Sequence, residues 1–195
     1  FYFDFISPYA YLGSVEVERI AARRGWSVRW QPMLLGITMF KVMGLKAVPD
    51  TPLKGAYALH DMARFARFLG VPLDPMAKLQ FNPLAAARAF VWLQIAAPER
   101  AKPFAIAVYS AHWCDGRDMG EATAVADVAA GLGIGRTALL DAIASQPVKD
   151  RLRQSVDDSI ARGVFGAPTF VVGQEIFWGA DRLPQLERWI ETGGW

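Results

Sequence analysis

Strand-like texture occurs at two places in this chain, within the first 32 residues and again from Gly166 to Trp178, and a long run of helical periodicity separates them. A sheet that uses both stretches must bring the two ends of the chain together and leave the middle outside as helices. The aromatic run Phe1-Tyr2-Phe3-Asp4-Phe5-Ile6 reads as a buried strand, and Ser7-Pro8 stands where it hands over to a helix. That helix runs from Pro8 to Arg24, with Leu12, Val15, Ile20 and Ala21 as its apolar side and Gly25 closing it. Ser27 to Pro32 then alternates with period two, as a strand does. The connection is long enough for the two strands to lie parallel. At the far end, residues 166–173 form a strand entered through Pro168. Gly173-Gln174 is a tight turn into Glu175-Ile176-Phe177-Trp178, and a closing helix covers Leu183 to Glu191 with Asp181 placed to cap it.

Between these ends the period is helical. Residues 36–52 suggest a short helix and a loop near an apolar cleft, with Met33, Leu34, Leu35, Met39 and Met43 read first as core filler. A helix from about Leu53 to Leu69 carries an inner stripe of Leu59, Met62, Ala66 and Leu69, and stops at Gly70 and Pro72. Asn82 before Pro83 is a natural cap and turn, and helical patterns follow at 84–97, 101–113, 121–132, 136–145 and 148–162. The order is βαβ, helices, ββα. This is an α/β chain in which residues 1–35 and 163–195 make one domain and residues 36–162 a helical insertion.

The 195 residues can bury a full core, and 53% hydrophobic with 21% charged residues excludes a disordered chain. Basic and acidic residues number 21 and 19 with no long run of either sign, which argues against nucleic acid or an anionic membrane as partner. No apolar run approaches the roughly 20 residues of a spanning helix, so a soluble protein is expected. The sequence starts at Phe1 without an initiator Met, so a lead-in or a cleaved signal can lie outside it.

Cys114 is the single cysteine, which leaves no internal disulfide and no Cys-x-x-Cys pair. His60 and His112 lack metal-ligand spacing with it, and no metal site is expected. His112 is near Cys114 in sequence, but close neighbours on a helix point in different directions, so an inert Cys114 is expected rather than a Cys–His nucleophile. Ser7 has two readings. It is an N-cap, or it is a hydroxyl at a helix N-terminus where unpaired N–H groups and the helix dipole favour an anion.

A strand ending at a helix N-terminus, with a later strand entered through Ala167-Pro168-Thr169, resembles the two halves of the thioredoxin-like active site. Here a serine replaces the cysteine pair. More specifically, Phe3 to Leu12, Pro52 to Tyr57 with Asp61 and Arg64, Phe81 to Leu84, and Gly163 to Phe170 with Phe177 to Leu183 resemble, in the same order, the 2-hydroxychromene-2-carboxylate isomerases. These lie close to kappa-class glutathione transferases in the DsbA-like group. The resemblance implies a thioredoxin-like fold with a helical insertion, a cis Pro168, a cytoplasmic homodimer, glutathione as cofactor and a small aromatic substrate from naphthalene-type catabolism.

It also implies roles. Ser7 would hydrogen-bond the thiolate, since a free thiol with pKa near 8.5 needs such help at neutral pH. Ala167, before Pro168, would pair with the cysteinyl main chain. Asp181 and the N–H groups around Arg182 would hold the γ-glutamyl end, and Lys54 a carboxylate. Tyr9, Arg64, Phe81 and Asn82 are the substrate-side candidates, with Tyr11 and Trp178 as further aromatic walls. Leu45 departs from the pattern by offering no polar side chain. The reaction implied is isomerisation of 2-hydroxychromene-2-carboxylate to trans-o-hydroxybenzylidenepyruvate, in which thiolate addition makes a double bond single, the adduct rotates, and elimination returns the thiol. A conjugating glutathione transferase and a non-catalytic glutathione- or peptide-binding module are the alternatives. A disulfide oxidoreductase is the weakest, because Ser7 cannot form a mixed disulfide.

Overall fold

The computed structural model describes residues 1–195. Both ends of the chain contribute to one four-stranded sheet: β1 (Tyr2–Phe3), β2 (Gln31–Pro32), β3 (Thr169–Val172) and β4 (Glu175–Trp178), in the order β2-β1-β3-β4. β1 and β2 are parallel, with Tyr2 opposite Gln31, whereas β3 is antiparallel to β1, with Thr169 opposite Tyr2. β3 and β4 form the expected hairpin, from Thr169 opposite Trp178 to Val172 opposite Glu175. Gly173 turns it with φ at +62°, a conformation that costs glycine little.

The first two ladders are shorter than the sequence pattern. Gln31 and Met33 donate to the carbonyls of Phe1 and Phe3 at 2.8 Å. Beyond Phe3 the chain leaves the ladder, and Asp4 turns its carboxylate to the Leu35 N–H at 2.7 Å. Helix α1 (Pro8–Arg23) makes the crossover, and α8 (Leu183–Thr192) closes the chain beside it, with Arg23 bound to Glu187 at 2.8 Å. Asp181 does not cap α8. The 3-10 turn Ala180–Arg182 runs straight into the helix, which leaves Arg182 at the cap position without a side-chain bond.

The middle of the chain folds as α2 (Lys54–Leu69), α3 (Leu84–Ala96), α4 (Pro98–Trp113), α5 (Ala122–Gly131), α6 (Arg136–Ala144) and α7 (Gln146–Ala161). A π-helical turn covers Gly36–Val42 and a 3-10 turn Val48–Asp50. α4 starts a turn earlier than its periodicity suggests, because Pro98 fits the first helical turn while Pro103 sits on an exposed face. On α2 the buried positions are Gly55, Met62 and Ala66, whereas Leu59 is 42% exposed and leaves the expected stripe. Asn82 accepts the Leu84 N–H at 3.1 Å and turns the chain into α3.

α3 is the central helix. Ala86, Ala87 and Ala89 allow close approach, and Phe90, Val91 and Leu93 are buried with them. Aromatic packing then ties the strands to the helices: Phe3 lies edge-on to Phe90 at 5.1 Å, and Phe1 stacks on Phe170 at 5.4 Å. Each such side chain contributes roughly 1.5–3 kcal/mol on full burial. One apolar core runs through both regions, from Phe1 to Leu186. No helix is long and apolar enough to cross a membrane.

Candidate active site

Ser7 has extended backbone immediately before α1, with Pro8 as the first helical residue. Its Oγ accepts the Ala10 N–H at 3.1 Å, which makes it the N-cap. The same hydroxyl donates its proton to the Ala167 carbonyl at 2.9 Å, across 160 residues of sequence. One atom thus caps a helix and joins it to the loop before β3.

In that loop the Ala167–Pro168 peptide is cis. Gly179 donates to the Pro168 carbonyl at 2.9 Å, and Thr169 Oγ1 donates to the Gly166 carbonyl at 2.7 Å, so the loop is braced on both sides. The Ala167 N–H donates to no group in the chain. Gly13 lets α1 approach: a Cβ there would lie 3.1 Å from the Phe170 ring and 3.3 Å from Pro168. Gly166 does the same for Trp178, whose half-exposed indole covers it and meets Phe165 at 4.9 Å between ring centroids.

Below Ser7 lies Asp4, 1% exposed, with the Leu35 N–H on one oxygen and the Ile6 N–H on the other at 3.3 Å. Burial pushes its carboxyl up to about 7, against the smaller opposing effect of those N–H groups. Sequence reasoning passed over this residue. The available signal was a lone carboxylate inside the aromatic run Phe1 to Phe5.

A second cluster joins α1 to α2. Tyr9 donates to Asp61 Oδ2 at 2.9 Å, while Arg64 donates to Asp61 Oδ1 and to the Tyr57 hydroxyl, the latter at 3.0 Å. Burial, and then the Asp61 carboxylate, raise the Tyr9 phenol above its usual range. For Asp61, burial pushes upward, but the bonds from Tyr9 and Arg64 outweigh it and bring the carboxyl below the usual range.

The other expected site residues are spread around these two clusters. Lys54 opens α2 and is exposed, in no ion pair. It follows Leu53, whose φ of +64° and Lys54 N–H to Pro52 carbonyl bond of 2.7 Å form a strained γ-turn. Asp181 and Arg182 are exposed and face each other at 3.6 Å, two and three residues beyond the Gly179 brace. Phe81 is 8% exposed, with its ring 4.1 Å from that of His112, and Asn82 is held in its turn. Tyr11 is buried, with its hydroxyl on the Pro72 carbonyl at 2.9 Å and 3.1 Å from Cys114 Sγ, so it forms no open wall. His112 turns both ring nitrogens to backbone carbonyls, those of Arg117 and Lys78, and not to Cys114.

The sequence matches the family described as DSBA-like thioredoxin domain over residues 1–191. It is 30% identical to the 2-hydroxychromene-2-carboxylate isomerase of Sphingobium xenophagum, over 97% of this chain and 96% of that one. It is 25% identical to human glutathione S-transferase kappa 1, over 97% of this chain and 91% of that one. A solved 2-hydroxychromene-2-carboxylate isomerase superposes with a TM-score of 0.83 at 28% identity, covering 98% of this chain and 93% of that one. The chain belongs to the DsbA-like thioredoxin domain family and, within it, to the 2-hydroxychromene-2-carboxylate isomerases.

Proposed function

We propose that this protein is a glutathione-dependent isomerase that converts 2-hydroxychromene-2-carboxylate to trans-o-hydroxybenzylidenepyruvate in the breakdown of naphthalene-type aromatics. The observation that carries the reading is the bond from Ser7 to the Ala167 carbonyl, made where a helix N-terminus meets a cis proline. The groups around that bond suit glutathione. The unpaired Ala167 N–H matches a peptide-like backbone, the Asp181 carboxylate matches an ammonium, and Lys54 and the N–H groups near Arg182 match carboxylates. When bound, glutathione supplies a thiolate that adds reversibly to a conjugated double bond.

The chain's own residues set the conditions for that chemistry. Ser7 re-aims its proton from the Ala167 carbonyl to the sulfur, and a charged acceptor holds a hydroxyl more strongly than a neutral one. The first turn of α1 adds the positive end of its dipole. On the substrate side Arg64 faces a carboxylate, Tyr9 and Asn82 supply polar contacts, and Phe81 supports the wall on which Asn82 stands. In this reading residues 1–35 and 163–195, joined by Lys54 at the start of α2, carry the glutathione side, and residues 36–162, joined by Tyr9 from α1, the substrate side. The protein works as a cytoplasmic homodimer.

The test is turnover of 2-hydroxychromene-2-carboxylate followed by absorbance, with and without glutathione, in the natural protein and in Ser7→Ala. Expected is turnover that requires glutathione and falls about a hundredfold in the variant, the scale of losing one preorganised donor. The variant also loses its N-cap, worth about 1 kcal/mol, so its thermal midpoint is recorded alongside. A product that retains the glutathionyl group would instead assign a kappa-like transferase, the activity named for the human relative.

A further inference from the structure

Asp61 accepts from three side chains with two oxygens, and each oxygen serves a different helix. Oδ2 takes the proton of Tyr9, from the first turn of α1. Oδ1 takes Arg64 and lies 3.5 Å from the Tyr57 hydroxyl, both on α2 at three- and four-residue spacing that places them along one face. The Arg64 guanidinium is also placed over the Tyr57 ring, 5.7 Å from its centroid. A surface ion pair between an arginine and a carboxylate is worth little to stability. Such a pair with a third helix-borne partner fixes direction instead.

The directions have chemical content. A phenol has one proton, and both acceptors beside the Tyr9 hydroxyl belong to α2, Asp61 Oδ2 at 2.9 Å and the more distant Ala58 carbonyl at 3.4 Å. The nearer, charged Asp61 takes the proton, so what Tyr9 offers any other molecule is an acceptor. Arg64 spends Nη2 on Asp61 and Tyr57, and its Nε and Nη1 have no partner in the chain. A hydrogen-bond acceptor and a cationic donor thus stand on either side of one carboxylate. A ligand that satisfies both carries a hydroxyl to donate and a carboxylate to accept, close together.

We propose that Asp61 is the positioning residue that turns Tyr9 into an acceptor and Arg64 into a donor, and so selects hydroxy acids as substrates. The proposal rests on the isomerase reading above and adds to it the group that sets substrate polarity. Asp61 makes no bond to the Ser7–Ala167 pair. It acts through two side chains.

The distinction between a positioning and a merely structural role lies in interdependence. Asp61→Asn, Tyr9→Phe and the double variant are compared by kcat and KM on 2-hydroxychromene-2-carboxylate with glutathione saturating. In parallel, calorimetry of the glutathione-loaded proteins measures binding of chromene-2-carboxylate, which lacks the hydroxyl. Each single variant is expected to lose about tenfold in kcat/KM, and the double variant hardly more than either, because residues sharing one bond are not additive. Tyr9→Phe is expected to bind the hydroxyl-free analogue as the natural protein does, within about twofold, since only an acceptor has been removed.

Losses that multiply to about a hundredfold in the double variant would overturn the proposal, as would equal loss of the hydroxyl-free analogue in Tyr9→Phe. If the natural protein turns nothing over, the isomerase reading fails by itself. The calorimetric comparison, repeated with 2-hydroxychromene-2-carboxylate as ligand, then still decides whether Tyr9 and Asp61 act together on the hydroxyl.

Discussion

At Asp4 a carboxyl group is removed from water with two backbone N–H groups for company, and burial wins: its pKa stands near 7 against an ordinary 3.8. An acid whose folded-state pKa is raised stabilises the fold fully below its unfolded value and loses that contribution as pH rises through the folded one. The window runs from about pH 4 to about pH 7, and the difference is on the order of 4 kcal/mol. Asp4→Asn should therefore flatten the stability curve in that window. Chemical denaturation of both proteins at pH 4.5 and 7.5, taken as a difference, checks it, and an unchanged slope would count against the assignment. Ser7 and Pro168 were legible in the sequence because a serine before a proline and a proline entering a strand each restrict the backbone on their own. Asp4 was less so, since its chemistry comes from Leu35 across the fold. Asp61 was visible only as part of a motif, because its partner Tyr9 lies on another helix.

His112 shows what single side chains do for whole elements. It projects from α4, is 1% exposed, and has Nδ1 and Nε2 each 2.8 Å from a carbonyl, of Arg117 on one side and Lys78 on the other. The segment from Gly70 to Pro83, which carries Phe81 and Asn82 into α3, is thereby pinned to α4, with a second pin where the Asp74 N–H meets the Trp113 carbonyl. Replacing His112 by Ala removes the ring that bridges these two carbonyls, including the hydrogen bond its N–H donates, and leaves a cavity under Phe81. A loss of about 3 kcal/mol is expected, read as a shift of the denaturation midpoint. No loss beyond about 0.5 kcal/mol would mean the segment holds itself. The helices of residues 84–162 were read correctly from their period because each buries one face over several turns. The strands were overextended because alternation persists where pairing has stopped, as at Trp30. The cap expected at Asp181 failed for a related reason. A 3-10 turn replaced the extended residue that a capping side chain needs.

For the molecule as a whole, the core that runs from Phe1 to Leu186 predicts that sheet and helices melt together. Far-ultraviolet dichroism, which follows mainly the helices, and tryptophan fluorescence, to which buried Trp30 and Trp113 contribute, should give one midpoint in guanidinium. Two separated midpoints would show that residues 36–162 hold their own stability. The sheet order carries a further consequence, one of time. β1 sits between β2 and β3, yet β3 is encoded far downstream, after every helix of the middle. At about 5–20 residues per second of synthesis, β1 waits on the order of ten seconds or more with one edge unpaired. That edge belongs to the aromatic stretch Tyr2-Phe3, an open template for the wrong neighbour. During that interval α3, by packing Phe90 against Phe3, can shield the apolar face of the strand, while its backbone edge stays open until β3 leaves the ribosome.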